Sequence, residues 1–354
     1  MSDKSNDTNS VKPPCVVVDT NVWRSDHLLK TAMGASLIFW ASQADGYIGL
    51  PEVVEMEIGK QISKAGKAAS EEVAKNLRLI GTLIGSCPAC PLPDADDFQK
   101  AVAARLAELK PLLKRVSLTV EHARGALKRV NEETPPNGPK NQQFKDSLIW
   151  EAVLDVVVSH QVHLITKDKG FFKNGDYEAG LASNLQSEIG DLGAQVSVHS
   201  DIASCLEALR TSTPPLDNEK LARTVAAAIL SQTESVFGNR GFVVGPFIGA
   251  SIKAFVTEKA DALSVAFSIE HKLTDVSGGE GGTRENASIV VKGECNYEVS
   301  SGAVSNVVLD SESFKWADQG GQPTQARNLY LHAGQAIVSM NPQQTSYRLR
   351  EPIE

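Results

Sequence analysis

The sequence predicts an α/β protein, a parallel sheet flanked by helices, followed by a second domain rich in antiparallel strands. Three observations carry this. The stretch CVVVDTN, Cys15 to Asn21, is an apolar run too short for a helix and rich in β-branched valine, as a strand buried on both faces of a parallel sheet would be. From there to about Arg210, strand-like runs alternate with helical ones, the pattern of parallel strands joined by helices. Beyond the linker TSTPPLDN the period changes to two. The boundaries read as a disordered tail over 1–13, an α/β domain over 14–210, a linker over 211–218 and a helix-plus-β domain over 219–354 whose role the sequence leaves open.

Taken in order, DHLLKTAMGASLIFWASQADG shows helical spacing after Ser25 or Asp26, and YIGLPE reads as a second strand ended by Pro51. A helix follows at once in VVEMEIGKQISKAG, with Val53, Val54, Ile58 and Ile62 on one face and Glu52, Glu55 and Glu57 about its first turns. Ser70 to Val130 reads as helical except for the break CPACPLPDADD, where Asp94 or Asp96 can cap the next helix. This region is basic, with Lys100, Arg105, Lys110, Lys114, Arg115, Arg124, Lys128 and Arg129, and is read equally as a solvated face or a phosphate-binding surface. After the loop NEETPPNGPKNQQF the helical pattern returns in KDSLIWEAVLDVVVSH, and VHLITKDKGFF is again a buried-type strand followed by an acid. A short helix from Leu181 to Ile189, the strand QVSVHS and a last helix complete the unit. In the second domain one helix, LARTVAAAILSQTESVFG, precedes alternating strands that form a sheet or sandwich, with GGEGGTREN as the most flexible loop.

Composition excludes several classes. A formal charge of −8 over 354 residues argues against a polybasic binder, so any nucleic-acid contact must come from a local patch. The polar first residues have no signal-peptide core and no run approaches the ~18 apolar residues of a membrane span, which points to the cytoplasm. Five scattered cysteines do not form a disulfide framework, and the lone CPAC lacks the second pair of a zinc ribbon.

Three acids stand at comparable positions: Asp19 after the first strand, Asp146 in the first turn of a helix, and Asp168 after a later strand. Parallel strands lie about 4.8 Å apart, so carboxylates at their carboxyl ends can share one cleft. A fourth acid from the helix after Pro51 would close the cluster. Carboxylates so placed need a cation to stay ionised, and oxygen ligands without His or Cys suit Mg²⁺ or Mn²⁺.

At these residues the chain resembles the PIN-domain nuclease superfamily. VVVDTN matches the family's first motif, and LPEVVEMEIGK is similar to its second, whose spacing implies Glu57 rather than Glu55. KDSLIWEAVL resembles the third, with Asp146, and LITKDKGFF the fourth, with Asp168. The likeness covers about 14–210, and the long helical insert resembles the larger bacterial members. Many members carry a further acid two residues after the fourth-motif Asp, where this chain has Gly170, which leaves a second metal open.

The resemblance implies metal-dependent phosphodiester hydrolysis, usually of RNA, with Asp19, Glu57, Asp146 and Asp168 as metal ligands. Thr20 and Asn21 would fix the first-motif turn and bind water or phosphate, while Lys145, Lys167, Lys169 and Lys173 would engage the substrate backbone. A toxin or defence effector, an antitoxin or other regulatory protein as partner, and a homodimer are its further implications. Two rivals remain: a non-catalytic scaffold keeping the acids for stability, and a structure-specific DNA nuclease. The complete set of four acids favours the enzyme.

Overall fold

The computed structural model describes residues 12–86, 89–138, 142–209, 217–238, 242–259, 261–275, 287–317, 323–325, 327–332 and 335–339. Tail residues 1–11, Cys87 of CPAC, linker residues 211–216 and the GGEGGTREN loop lie outside them. Two compact units result, one from Met1–Lys30 with Leu37–Thr211, the other from Thr31–Ser36 with Ser212–Glu354.

In the first unit β1 (Pro14–Val18) leads through α1 (Thr20–Ser25) and α2 (Ala32–Gln43), which belongs to this unit from Leu37 on, to β2 (Tyr47–Pro51). Next come α3 (Glu52–Ile84), α4 (Ala95–Glu108), β3 (Leu113–Val116), α5 (Val120–Asn131) and α6 (Phe144–Val157). The unit closes with β4 (Gln161–Ile165), α7 (Ser183–Asp191), β5 (Val196–His199) and α8 (Ile202–Ala208). The strands form one parallel sheet in the order β3-β2-β1-β4-β5. Consecutive residues of the inner strands, such as Val16, Val17 and Val18 or Leu164 and Ile165, are all buried, so helices cover both faces. Full burial of each such side chain stabilises the fold by about 1.5–3 kcal/mol.

The strand order has one functional consequence. From β1 the chain moves to β2 and β3 on one side, then crosses to β4 and β5 on the other. The carboxyl ends of β1 and β4 therefore flank the point where the winding reverses, which opens a crevice in sheets of this type.

Two local expectations are corrected. The helix expected over 26–46 is interrupted: α1 ends at Ser25, α2 begins at Ala32, and His27, Leu28 and Leu29 take positive φ of 46°, 64° and 56°. The turn buries Leu28 and Leu29, and Arg105 donates to their carbonyls at 3.1 and 2.8 Å, which satisfies oxygens that a helix would have bonded internally. The continuous helical reading from Asp94 to Val130 also fails, because LKRV forms the edge strand β3, paired with β2 from Ile48↔Leu113 to Pro51↔Val116. Four residues, two of them basic, are too few to show a period, and only the exposed backbone of β2 selects the strand.

The second unit sets α9 (Asn218–Gly238) against a single antiparallel sheet of β6 (Phe242–Val256), β7 (Ala262–Asp275), β8 (Ala287–Glu298), β9 (Val304–Ala317), β10 (Pro323–Gln325), β11 (Arg327–His332) and β12 (Gln335–Ser339). Its order is β12-β11-β9-β8-β7-β6, with β10 pairing β9. Leu221, Val225 and Ile229, one turn apart on α9, pack with Leu263, Val265, Phe267 and Ile269, alternate residues of β7.

Candidate active site

Asp19 ends β1 and starts α1. Its N–H donates to Ile165 O at 3.0 Å, extending the β1–β4 ladder, and its carbonyl accepts the N–H groups of Val22 and Trp23, each at 3.0 Å. The side chain is only 2% exposed and accepts from Thr166 Oγ1 at 2.8 Å. Burial pushes this carboxyl above the ordinary aspartate range and the neighbouring Asp168 charge adds to the rise, against the pull of Thr166 and the amides of Thr20 and Asn21.

Thr166 also holds the second acid. Its Oγ1 accepts the N–H of Asp168 at 3.0 Å, so one buried hydroxyl bridges the ends of β1 and β4. Asp168 Oδ1 accepts from Gly170 N–H at 2.6 Å, and its Oδ2 accepts from Gln143 Nε2. A Cβ at position 170 would lie 2.2 Å from Pro136 O and 2.9 Å from Asp168 Oδ1. The close approach of two backbones, which explains the glycine, leaves no room there for a further acid.

Glu57 comes from α3. Its Oε1 accepts from Lys145 Nζ at 2.5 Å and Gln61 Nε2 at 3.0 Å, and its Oε2 from Thr20 Oγ1 at 3.3 Å. Burial would raise its pKa, yet the hydrogen bonds from Lys145, Gln61 and Thr20 bring it below the ordinary glutamate range. Glu55 points elsewhere and pairs with Arg115 at 3.0 Å in a partly exposed surface pair.

Asp146 lies in the first turn of α6, whose N-terminal end favours a carboxylate. Burial and the charges of Asp19, Asp168 and Glu57, only partly offset by Lys145, push it up to about 7. The four acids proposed from the sequence thus come from β1, α3, α6 and the turn after β4, and Asp146 feels the other three.

Among the described residues no three carboxylates have oxygens all within 4.8 Å of one another, so they do not form a closed all-protein cage. That arrangement, with oxygen donors only and a repulsion that a cation would relieve, fits a hard dication that keeps several waters and binds through one or two carboxylates. Zinc, which prefers nitrogen and sulfur, is a poorer match.

Of the predicted substrate residues, Thr20 is buried on Glu57 and Asn21 is half-buried beside Asp19. Lys145 is tied to Glu57, Lys167 Nζ lies 3.2 Å from Ser25 Oγ, and Lys169 Nζ sits 5.5 Å from the Tyr177 ring centre. Lys173 is exposed. The basic helical stretch is partly consumed internally: Arg105 turns to Leu28 and Leu29, while Arg129 meets Glu151 at 2.8 Å and Glu188 at 2.6 Å.

The residues missed in the sequence are those that position the acids. Thr166 was signalled by the Thr-Lys-Asp run, since a hydroxyl two residues before an aspartate can reach its amide. Gln61 stands one helical turn after Glu57. Gln143 carries no comparable signal.

Residues 16–171, which contain all four acids, match a family model described as a PIN domain. No curated protein and no solved structure matches the chain.

Proposed function

Residues 16–171 form a PIN domain, a member of a nuclease superfamily, and from that premise we propose that the chain is a divalent-metal-dependent ribonuclease hydrolysing phosphodiester bonds. The observation that supports this reading is the convergence of Asp19, Asp168, Glu57 and Asp146 on the reversal point of the sheet, where burial and the charges of the other three raise Asp146 to about 7. A scaffold under no catalytic demand would be more stable with one of these charges removed.

Asp19, Glu57, Asp146 and Asp168 are the carboxylates from which Mg²⁺ or Mn²⁺ would take its protein ligands, one or two to each ion. When bound, the dication supplies charge neutralisation at the phosphate and acidifies the attacking water. Each protein group has a separate task. Thr166 orients the Asp19 carboxylate and fixes the turn that presents Asp168, while Gln143 and the Gly170 amide set the rotation of the Asp168 carboxylate. Lys145 holds Glu57 and adds positive charge at the mouth of the cleft. Exposed Lys167, Lys169 and Lys173 act on the substrate backbone as point charges, which orient without reading sequence.

The test is cleavage of end-labelled single-stranded RNA, tRNA and single-stranded DNA by the full chain with Mg²⁺, Mn²⁺ or EDTA, beside Asp146→Asn. Metal-dependent cutting of RNA that the variant loses supports the reading. Cutting of DNA alone moves the substrate class, and cleavage that Asp146→Asn retains refutes the site.

A further inference from the structure

A second cluster of ligating side chains lies inside the first unit and shares no residue with the carboxylate site. β4 and β5 pair with His163 opposite Ser197 and Ile165 opposite His199, so His163 and His199 project from the same face of the sheet. Their rings stack with centroids 5.4 Å apart and planes inclined by 18°, and His163 Nδ1 is 3.2 Å from His199 Nε2. Cys205, on α8, completes the group. One nitrogen from each ring and the Cys205 sulfur lie within 4.8 Å of one another, the sole His, Cys, Asp and Glu group so arranged among the described residues.

A pair of core histidines sharing a hydrogen bond does not account for all of this. All three side chains are buried, at 4%, 9% and 0% exposure. His163 Nε2 has no hydrogen-bond partner among the described residues. A buried polar atom left unpaired costs about 1–3 kcal/mol, and such atoms are few in native proteins.

We propose that His163, His199 and Cys205 form an imidazole–thiolate site that binds one Zn²⁺, with water in the fourth position. On binding, a zinc–sulfur bond forms, the Cys205 S–H bond breaks, and its proton passes to solvent. Two imidazoles and a thiolate suit this borderline ion, whereas the oxygen-only cluster suits Mg²⁺ or Mn²⁺. The ion would tie β4 and β5 to α8.

The experiment uses the full chain, stripped with chelator and titrated with Co²⁺ as a spectroscopic stand-in and then with Zn²⁺. The expected result is one equivalent of Co²⁺ giving thiolate-to-cobalt charge transfer, displaced by one equivalent of Zn²⁺. Cys205→Ser should abolish the band. Asp146→Asn and the double variant Cys87→Ser, Cys90→Ser should keep it, which separates this site from the carboxylates and from CPAC. Should Cys205→Ser not fold, His199→Gln gives the same comparison, with loss of the band expected. Absence of charge transfer in the wild type, or its persistence in either His199→Gln or Cys205→Ser, overturns the proposal and leaves a hydrogen-bonded histidine pair.

Discussion

Thr166 Oγ1 donates to Asp19 Oδ2 at 2.8 Å, and the same oxygen accepts the Asp168 amide, so one hydroxyl aligns two carboxylates from different strands. Replacing Thr166 with Val keeps the volume and removes both bonds. Asp19 then remains buried without its side-chain donor, which costs about 1–3 kcal/mol in unfolding free energy. Loss of a hydrogen bond that orients a metal-ligating carboxylate should reduce activity roughly 10- to 100-fold. Denaturant unfolding and cleavage assays on Thr166→Val check both. A variant equal to wild type in cleavage would show that Thr166 has no positioning role.

The repulsion around Asp146 makes a second prediction. In EDTA at pH 8, Asp146→Asn should be more stable than wild type by about 2 kcal/mol, since the amide cannot carry the charge that burial disfavours and that Asp19, Asp168 and Glu57 oppose. The same change should abolish cleavage. Higher stability with lost activity marks a group kept for chemistry, and urea midpoints measured beside turnover would reveal it.

The pH dependence follows from the same carboxyl, raised from 3.8 to about 7 in the fold. Between those values the folded chain binds more protons than the unfolded chain, so this contribution is fully present below about pH 3.8 and is lost as pH rises through about 7. The wild type without metal should therefore lose stability from pH 5 to pH 8 more steeply than Asp146→Asn. Mg²⁺ or Mn²⁺ should raise the melting temperature more at pH 8 than at pH 5, where protons compete for the same oxygens. Melting scans at both pH values, with and without metal, provide the check.

Glu55 and Glu57 are two residues apart, yet only Glu57 meets Thr20, Gln61 and Lys145. Glu57→Gln should cut cleavage at least tenfold. Glu55→Gln removes a partly exposed pair with Arg115 and should leave activity within about twofold and stability within ~1 kcal/mol. Equal losses in the two variants would contradict the assignment.

Gly170 stands where many PIN domains carry another acid. Gly170→Asp should not add a metal ligand, because its Cβ would meet Pro136 O at 2.2 Å and the turn holding Asp168 must shift. A drop in melting temperature and in cleavage is expected, readable by calorimetry and single-turnover assays.

Legibility in the sequence followed the range of the interaction. The β1 strand and its terminal Asp19 were readable because an unbroken valine run has few alternatives, and α6 with Asp146 because its apolar stripe lasts several turns. The strand β3 was not, since LKRV gains its conformation from an edge of β2 distant in the chain. Arg105 and Arg129 read as surface charge because their partners, the Leu28 and Leu29 carbonyls and Glu188, come from elsewhere in the sequence.

The sequence by itself determined most of the order of strands and helices, β3 and the break between α1 and α2 excepted, and the residue types at their ends, since burial period and turn chemistry are local properties. Tertiary structure decided which groups share a cleft: that Asp146 lies within reach of three other charges, that Thr166 and Gln143 hold the acids, and that His163, His199 and Cys205 meet at all. Those relations depend on strand register and on helices crossing the sheet, where residues far apart along the chain acquire contacts that no local pattern encodes.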